Sequence, residues 1–202
     1  MSKYYASMRT KSKKLASRIA ESMVFLGRFI GSPRQIGSVT PSSPYLTRAI
    51  MNKIDWGTAR YIAELGAGTG VFTRNILRRL REDGELLAFE IDPKLREIIE
   101  AENEGLTVYG DARIMPKIMK ERCVPAFDYV VSSLPYAVLP PQTTSDILDG
   151  ILQCLKPGGK FIAYQYSTHM KSRFGEHFTN VEISFVLRNI PPAFVYECVK
   201  SE

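Results

Sequence analysis

The sequence predicts a doubly wound α/β fold: a seven-stranded, mostly parallel sheet closed by an antiparallel C-terminal hairpin and preceded by an amphipathic helix. Three observations predict it. Five short apolar strands alternate with helical stretches between residues 60 and 166, as in βα units whose parallel strands are covered on both faces. A glycine loop, "ELGAGTG" (Glu64–Gly70), stands between the first strand and its helix. The final stretch, "NVEISFVLRNIPPAFVYECVK", holds two β-rich runs joined at Ile190-Pro191-Pro192, which reads as a tight hairpin.

In chain order, the first element is a helix from about Lys13. Leu15, Ile19, Met23, Leu26 and Ile30 recur at spacings of four, four, three and four, which stacks them in one stripe. Lys14, Arg18, Glu21 and Arg28 fall to one side, and Phe25 and Phe29 widen the apolar edge. A basic amphipathic helix of this kind can lie in a membrane interface or pack its stripe on the domain. "GSPRQIG" then breaks the helix, so residues 1–36 form an arm and residues 37–202 a domain.

In "TPSSPYLTRAIMNKI", Ser42 or Ser43 is placed to cap a helix with Pro44 at its first position and Leu46, Ile50 and Ile54 on its buried face. Strands follow at 60–65, 85–90, 106–109, 127–132 and 160–166. The intervening helices are expected at about 71–81, 93–103, 112–121 and 142–155, with "KPGG" as a turn into the fifth strand. Residues 167–178 read as polar and partly helical.

A chain of 202 residues is one domain with a short appendage. It has no run of eighteen apolar residues, and its basic start lacks the apolar core and cleavage site of a secretory signal. Cys123, Cys154 and Cys198 are odd in number, far apart and without CxxC spacing. They read as thiols of a reducing cytoplasm, with no metal or disulfide role. The net charge of +6 is unevenly placed. Residues 1–36 hold 8 bases against 1 acid, a net of +7, and the remainder 19 against 20, a net of −1. That asymmetry points to an arm that meets an anionic surface.

Three acids end successive strands: Glu64, Glu90 in "AFEID", and Asp111 in "GDA". Ligands in this fold class lie across the carboxyl ends of the strands, so the three converge on one cleft. The loop is spaced G-x-G-x-G, not the G-x-G-x-x-G of dinucleotide folds. Carboxylates suit a ligand that presents hydrogen-bond donors, whereas a phosphate-bearing cofactor would call for cations.

With these motifs in this order, residues 40–202 resemble the class I S-adenosylmethionine-dependent methyltransferases. The resemblance implies S-adenosyl-L-methionine as cofactor, S-adenosyl-L-homocysteine as product, and no metal. By it, Glu64, Thr69 and Gly70 belong to the cofactor loop, and Gly66, Ala67 and Gly68 border the methionine and ribose portions. Glu90, with Ile91 beside it, accepts from the ribose hydroxyls. Asp111 receives the adenine amino group next to Ala112, and Ser132 ends the strand beneath. "IGSVTPSS" folds over as a lid that brings Gly37, Ser38 and Ser42 to the methionine end.

The turn "SSLPY" (Ser132–Tyr136) selects the acceptor. Adenine N6-methylases carry asparagine where Ser133 stands here, and a serine cannot reproduce the bidentate geometry of an amide. "FLGRFIGSPRQIGSVTPSSPYLTRAI", "ELGAGTGVFTRNIL", "DYVVSSLPYAVLP", "LKPGGKFIAYQYS" and "VLRNIPPAFVY" together resemble the bacterial phospholipid N-methyltransferases that act on phosphatidylethanolamine. The resemblance implies stepwise methylation of a phospholipid headgroup amine, and the basic N-terminal helix points to a peripheral enzyme docked on the inner, anionic membrane face. Its chemistry needs alignment of a lone pair and exclusion of water. It also needs aromatic faces for an amine that becomes fixedly cationic. Ser133, Tyr136, Tyr166 and His169 are the catalytic candidates; alternation puts Tyr164 beside Tyr166 with Gln165 on the other face, and His169 takes a proton or holds the lipid phosphate. The alternatives are an rRNA adenine N6-methyltransferase whose arm binds phosphates, a small-molecule amine methyltransferase, and a non-catalytic cofactor-binding interaction module.

Overall fold

A computed structural model describes residues 42–202. The N-terminal arm, with the lid residues Gly37 and Ser38, lies outside the described residues. The first described helix, α1 (Pro44–Met51), starts as the sequence predicts: Ser43 Oγ accepts from Leu46 N at 3.2 Å and Pro44 occupies the first turn. Leu46, Ile50 and the following Ile54 are buried.

Seven strands form one sheet in the order β3-β2-β1-β4-β5-β7-β6. They are β1 (Tyr61–Leu65), β2 (Glu85–Phe89), β3 (Val108–Tyr109), β4 (Phe127–Ser132), β5 (Leu155–Gln165), β6 (Asn180–Val186) and β7 (Ala193–Val199). The first five run parallel, and β7 is antiparallel to both β5 and β6. The helices α2 (Val71–Leu77), α3 (Pro93–Glu102), α4 (Met115–Glu121), α5 (Pro141–Cys154) and the short α6 (Lys171–Gly175) connect them. Side chains alternate between two cores, one on each face of the sheet. Ile62, Leu86, Val131, Ile162 and Val195 pack with α1 and α2. Ala63, Leu87, Val130, Phe161 and Tyr196 pack with α4, α5 and α6.

Several boundaries differ from expectation for local reasons. The helix expected over 112–121 divides into a 3-10 turn (Ala112–Ile114) and α4, because Pro116 has no N–H to donate back into the preceding turn. The third strand keeps only two residues, since Leu106 N donates to Asn103 O in the preceding turn. "KPGG" is a bulge within β5: Phe127 pairs with Leu155 and Tyr129 already with Lys160, with Gly158 at φ 69°. The hairpin connection is six residues, 187–192, rather than tight. Cys154 and Cys198 are buried, which pushes their thiols up to about 11 and about 12, and Cys123 is exposed.

The register sets the site. Leu65 lies level with Phe89 on one side and Ser132 on the other, and Ser132 with Ala163. The chain leaves β1 toward β2 and leaves β4 toward β5, so the crossovers diverge at the β1–β4 boundary. That switch point opens a crevice at the carboxyl edge.

Candidate active site

The glycine loop turns directly at the end of β1, where Gly66 N and Ala67 N donate to Phe89 O at 2.8 and 3.0 Å. A Cβ at Gly66 would stand 3.0 Å from Leu134 Cδ2, so the residue is small because the SSLPY turn presses on it. A Cβ at Gly68 would meet nothing within 4 Å, and with φ at 56° the loop holds its backbone open to the crevice there.

Glu64 is fully buried. Its Oε2 accepts from Thr73 Oγ1 at 2.7 Å, while its Oε1 is buried without a partner among the described residues. Burial raises its pKa to about 7. An orphaned buried acceptor is costly and calls for a donor. Glu90, at the end of β2, accepts from Gly68 N (2.7 Å) and from Asp92 N (3.0 Å). One lone pair on each oxygen remains for a diol. Ile91 beside it is 70% exposed.

Asp111 fulfils the capping role its position after Gly110 suggests: Oδ1 accepts from Arg113 N at 2.9 Å. The Arg113 guanidinium also grips the carboxylate, Nε to Oδ2 at 2.9 Å, and holds it below the usual carboxylate range. Adenine would therefore share or displace Arg113, whose side chain is 50% exposed; such half-exposed pairs exchange at little cost. The orphaned Oε1 of Glu64, the open face at Gly68, the Glu90 lone pairs and the uncovered Ile91 together fit the expected cofactor's ammonium, chain, ribose and adenine.

Two expected site residues turn away from the crevice. Ser132 Oγ and the Tyr136 hydroxyl are 2.8 Å apart, and both residues are buried. The Tyr136 ring packs edge-on against Phe161 (5.9 Å) and Phe174 (5.6 Å). Tyr136 is therefore a core residue that braces the turn, not a group that touches an acceptor, and Ser132 is its partner. Alternation explains both, since Ser132 shares the face of Val130 in the core built on α4, α5 and α6.

Ser133, Ser42, Tyr164 and Tyr166 do come together. The hydroxyls of Ser42, Ser133 and Tyr166 gather around that of Tyr164. The two tyrosine rings stand 5.8 Å apart at 79°. Burial raises both phenols above their ordinary value, so both stay neutral. Gln165, on the opposite face as alternation requires, donates to Leu134 O at 2.8 Å and fixes the turn. His169 is exposed and makes no hydrogen bond among the described residues; the structure does not bring it into the hydroxyl cluster.

Sequence reasoning missed Thr73, Gln165 and Asn189 as parts of the site. Asn189 is buried; its Oδ1 accepts from Ser43 N (3.1 Å), its Nδ2 donates to Pro191 O (2.7 Å), and its side chain lies near the Tyr166 hydroxyl. Gln165 alone had a signal, as a polar residue in a buried strand.

Comparison with known proteins agrees with this geometry. Residues 62–159 match the methyltransferase domain family. The chain is 36% identical over 181 residues to the ornithine lipid N-methyltransferase of Singulisphaera acidiphila, covering 87% of this chain and 94% of that protein. It is 28% identical over 109 residues to ribosomal RNA small subunit methyltransferase A of Thermotoga neapolitana, covering 54% of this chain and 40% of that one. Among solved structures, the O-methyltransferase of Bacillus cereus with bound S-adenosylhomocysteine superposes with a TM-score of 0.63 at 16% identity, over 91% of each chain. The N-methyltransferase NodS of Bradyrhizobium japonicum, also with S-adenosylhomocysteine, gives 0.62 at 14% identity, over 86% of this chain and 98% of that one.

Proposed function

Since the chain belongs to the lipid N-methyltransferases within the class I S-adenosylmethionine-dependent methyltransferases, we propose that its acceptor is the primary amine of a membrane-lipid headgroup of the ornithine-lipid type. The similarity that spans nearly the whole of the Singulisphaera relative supports this acceptor. Phosphatidylethanolamine is the second reading, supported by the motifs that resemble its methyltransferases, "VVSSLPYAVLP" and "KPGGKFIAYQYS" among them. The observation that carries the amine chemistry is the cluster of Ser133, Tyr164 and Tyr166 at the carboxyl edge.

S-adenosylmethionine, when bound, supplies the electrophilic methyl group; Glu64, Glu90 and the glycine loop are the residues that would hold it. The tyrosines are neutral, so they accept and donate hydrogen bonds and do not abstract a proton as phenolates. Desolvation of the headgroup between the rings lowers the pKa of its ammonium and frees the lone pair. The ring faces then suit the methylated cation, which can no longer be neutralised by losing a proton after full methylation. The basic arm, with its net +7, is proposed to hold the enzyme on an anionic inner membrane face.

The test is incubation of the purified protein with methyl-labelled cofactor and, separately, vesicles containing ornithine lipid, vesicles containing phosphatidylethanolamine, and ribosomal RNA. Label in ornithine lipid is expected. Label in phosphatidylethanolamine alone would select the second reading, and label only in RNA would overturn both.

A further inference from the structure

We propose that the connection between β6 and β7 is a second membrane contact, a rigid tip that inserts apolar side chains into the lipid surface beside the cleft; this rests on the lipid-acceptor reading above. The register places it. Gln165, at the carboxyl end of β5, pairs with Phe194 at the start of β7, so residues 187–192 emerge at the same sheet edge as the hydroxyl cluster. Leu187 is 70% exposed and Ile190 86% exposed. Large aliphatic groups so uncovered on one short connection mark a contact surface.

The tip is held, not loose. Between its two apolar residues, Asn189 is 4% exposed and ties the connection to Pro191 O and to the backbone of Ser43. Ser43 adjoins Ser42 of the hydroxyl cluster, so the tip and the acceptor site share one anchor. Arg188 lies over the Tyr45 ring at 5.0 Å from its centroid and donates to its hydroxyl at 3.3 Å. Tyr45 is itself 47% exposed. An arginine and a tyrosine at the base of an aliphatic tip match a bilayer boundary: the cation faces lipid phosphates, the ring sits at headgroup depth and the aliphatic chains reach the acyl region. A protein partner would fit the apolar surface alone, but the amine to be methylated lies on a lipid, and a rim contact there brings the cleft to the headgroup.

Two measurements on the full chain test the tip. The first is turnover on vesicles of phosphatidylethanolamine, ornithine lipid and phosphatidylglycerol, compared with turnover on a short-chain acceptor dispersed in detergent. Leu187→Ser combined with Ile190→Ser is expected to raise the apparent KM for vesicles by roughly tenfold or more, from the lost apolar transfer. Cofactor affinity and turnover on the dispersed acceptor should stay near wild type. The second places Leu187→Trp in a Trp56→Phe background and titrates vesicles carrying brominated acyl chains; blue-shifted, quenched emission is expected. An unchanged vesicle KM, or an indole that vesicles leave unquenched, would overturn the proposal. The quenching needs no turnover, so a protein that methylates no lipid while its indole is quenched would sink the acceptor reading and leave the tip standing.

Discussion

Thr73 donates to one carboxylate oxygen of Glu64 at 2.7 Å and leaves the other buried with no partner among the described residues. The pair fits half of the proposed cofactor site. One oxygen is fixed from within the fold, and the second is held for a cationic donor that the cofactor's ammonium can supply.

The pH dependence of the cofactor-free protein follows from that relationship. The Glu64 pKa is raised from 4.5 to about 7, so the folded carboxyl keeps its proton where the unfolded one has ionised. Its contribution to stability is full below the unfolded value and is lost as pH rises toward about 7. Glu64→Gln should therefore gain on wild type by about 3 kcal/mol between about pH 5 and about pH 8, read by urea unfolding without cofactor. Parallel stability curves for the two proteins would refute it. Calorimetry should show the converse for ligand: wild-type affinity for cofactor rises over that range, and the variant's stays low and flat.

Glu90 and Asp111 are expected to differ, although they occupy corresponding strand ends. Glu90 anchors Gly68 N and Asp92 N, so Glu90→Ala loosens the loop as well as losing ribose contacts. A loss of about 1–3 kcal/mol in cofactor affinity is expected. Asp111 is already engaged by Arg113, and Asp111→Ala should cost less. Calorimetry with equal losses at both positions would show that Arg113 leaves Asp111 when cofactor binds.

Tyr136→Phe should act on stability and not on chemistry. The variant keeps the ring against Phe161 and Phe174 and loses only the bond to Ser132, about 1 kcal/mol for a buried neutral pair. Chemical unfolding and turnover measured together decide it; a large fall in turnover at unchanged stability would return Tyr136 to the cleft.

The sheet, its switch point and the converging acids were legible because strand alternation and loop position fix them locally. Glu64 and Glu90 follow from standing next-to-last on β1 and directly after β2, strands that end level. Tyr136 misled because "SSLPY" gives the turn but not which way its aromatic ring swings, and that direction depends on Phe161 and Phe174 from distant segments. Asn189 was invisible for the same reason: its bond to Ser43 N spans 146 residues. His169 follows β5 in sequence, yet it lies four residues past the end of that strand and is exposed.

The tyrosine pair carries the last prediction. Tyr164 gathers the hydroxyls of Ser42, Ser133 and Tyr166, and Asn189 reaches Tyr166 from the hairpin connection. Tyr164→Phe keeps the ring at the cleft and removes the hydroxyl proposed to orient the amine. Turnover should fall by roughly three- to tenfold, the worth of one neutral hydrogen bond made to the reacting group. Tyr166→Phe should do the same to a smaller degree, because its hydroxyl sits at the edge of the cluster. Cofactor affinity should be unchanged in both, since neither hydroxyl is a hydrogen-bond partner of Glu64 or Glu90 among the described residues. His169→Ala, which removes an exposed side chain, should leave turnover within about twofold of wild type. Steady-state kinetics on lipid vesicles with parallel cofactor titrations give the answer. If His169→Ala loses activity while Tyr164→Phe keeps it, the loop after β5 and not the hydroxyl cluster addresses the amine.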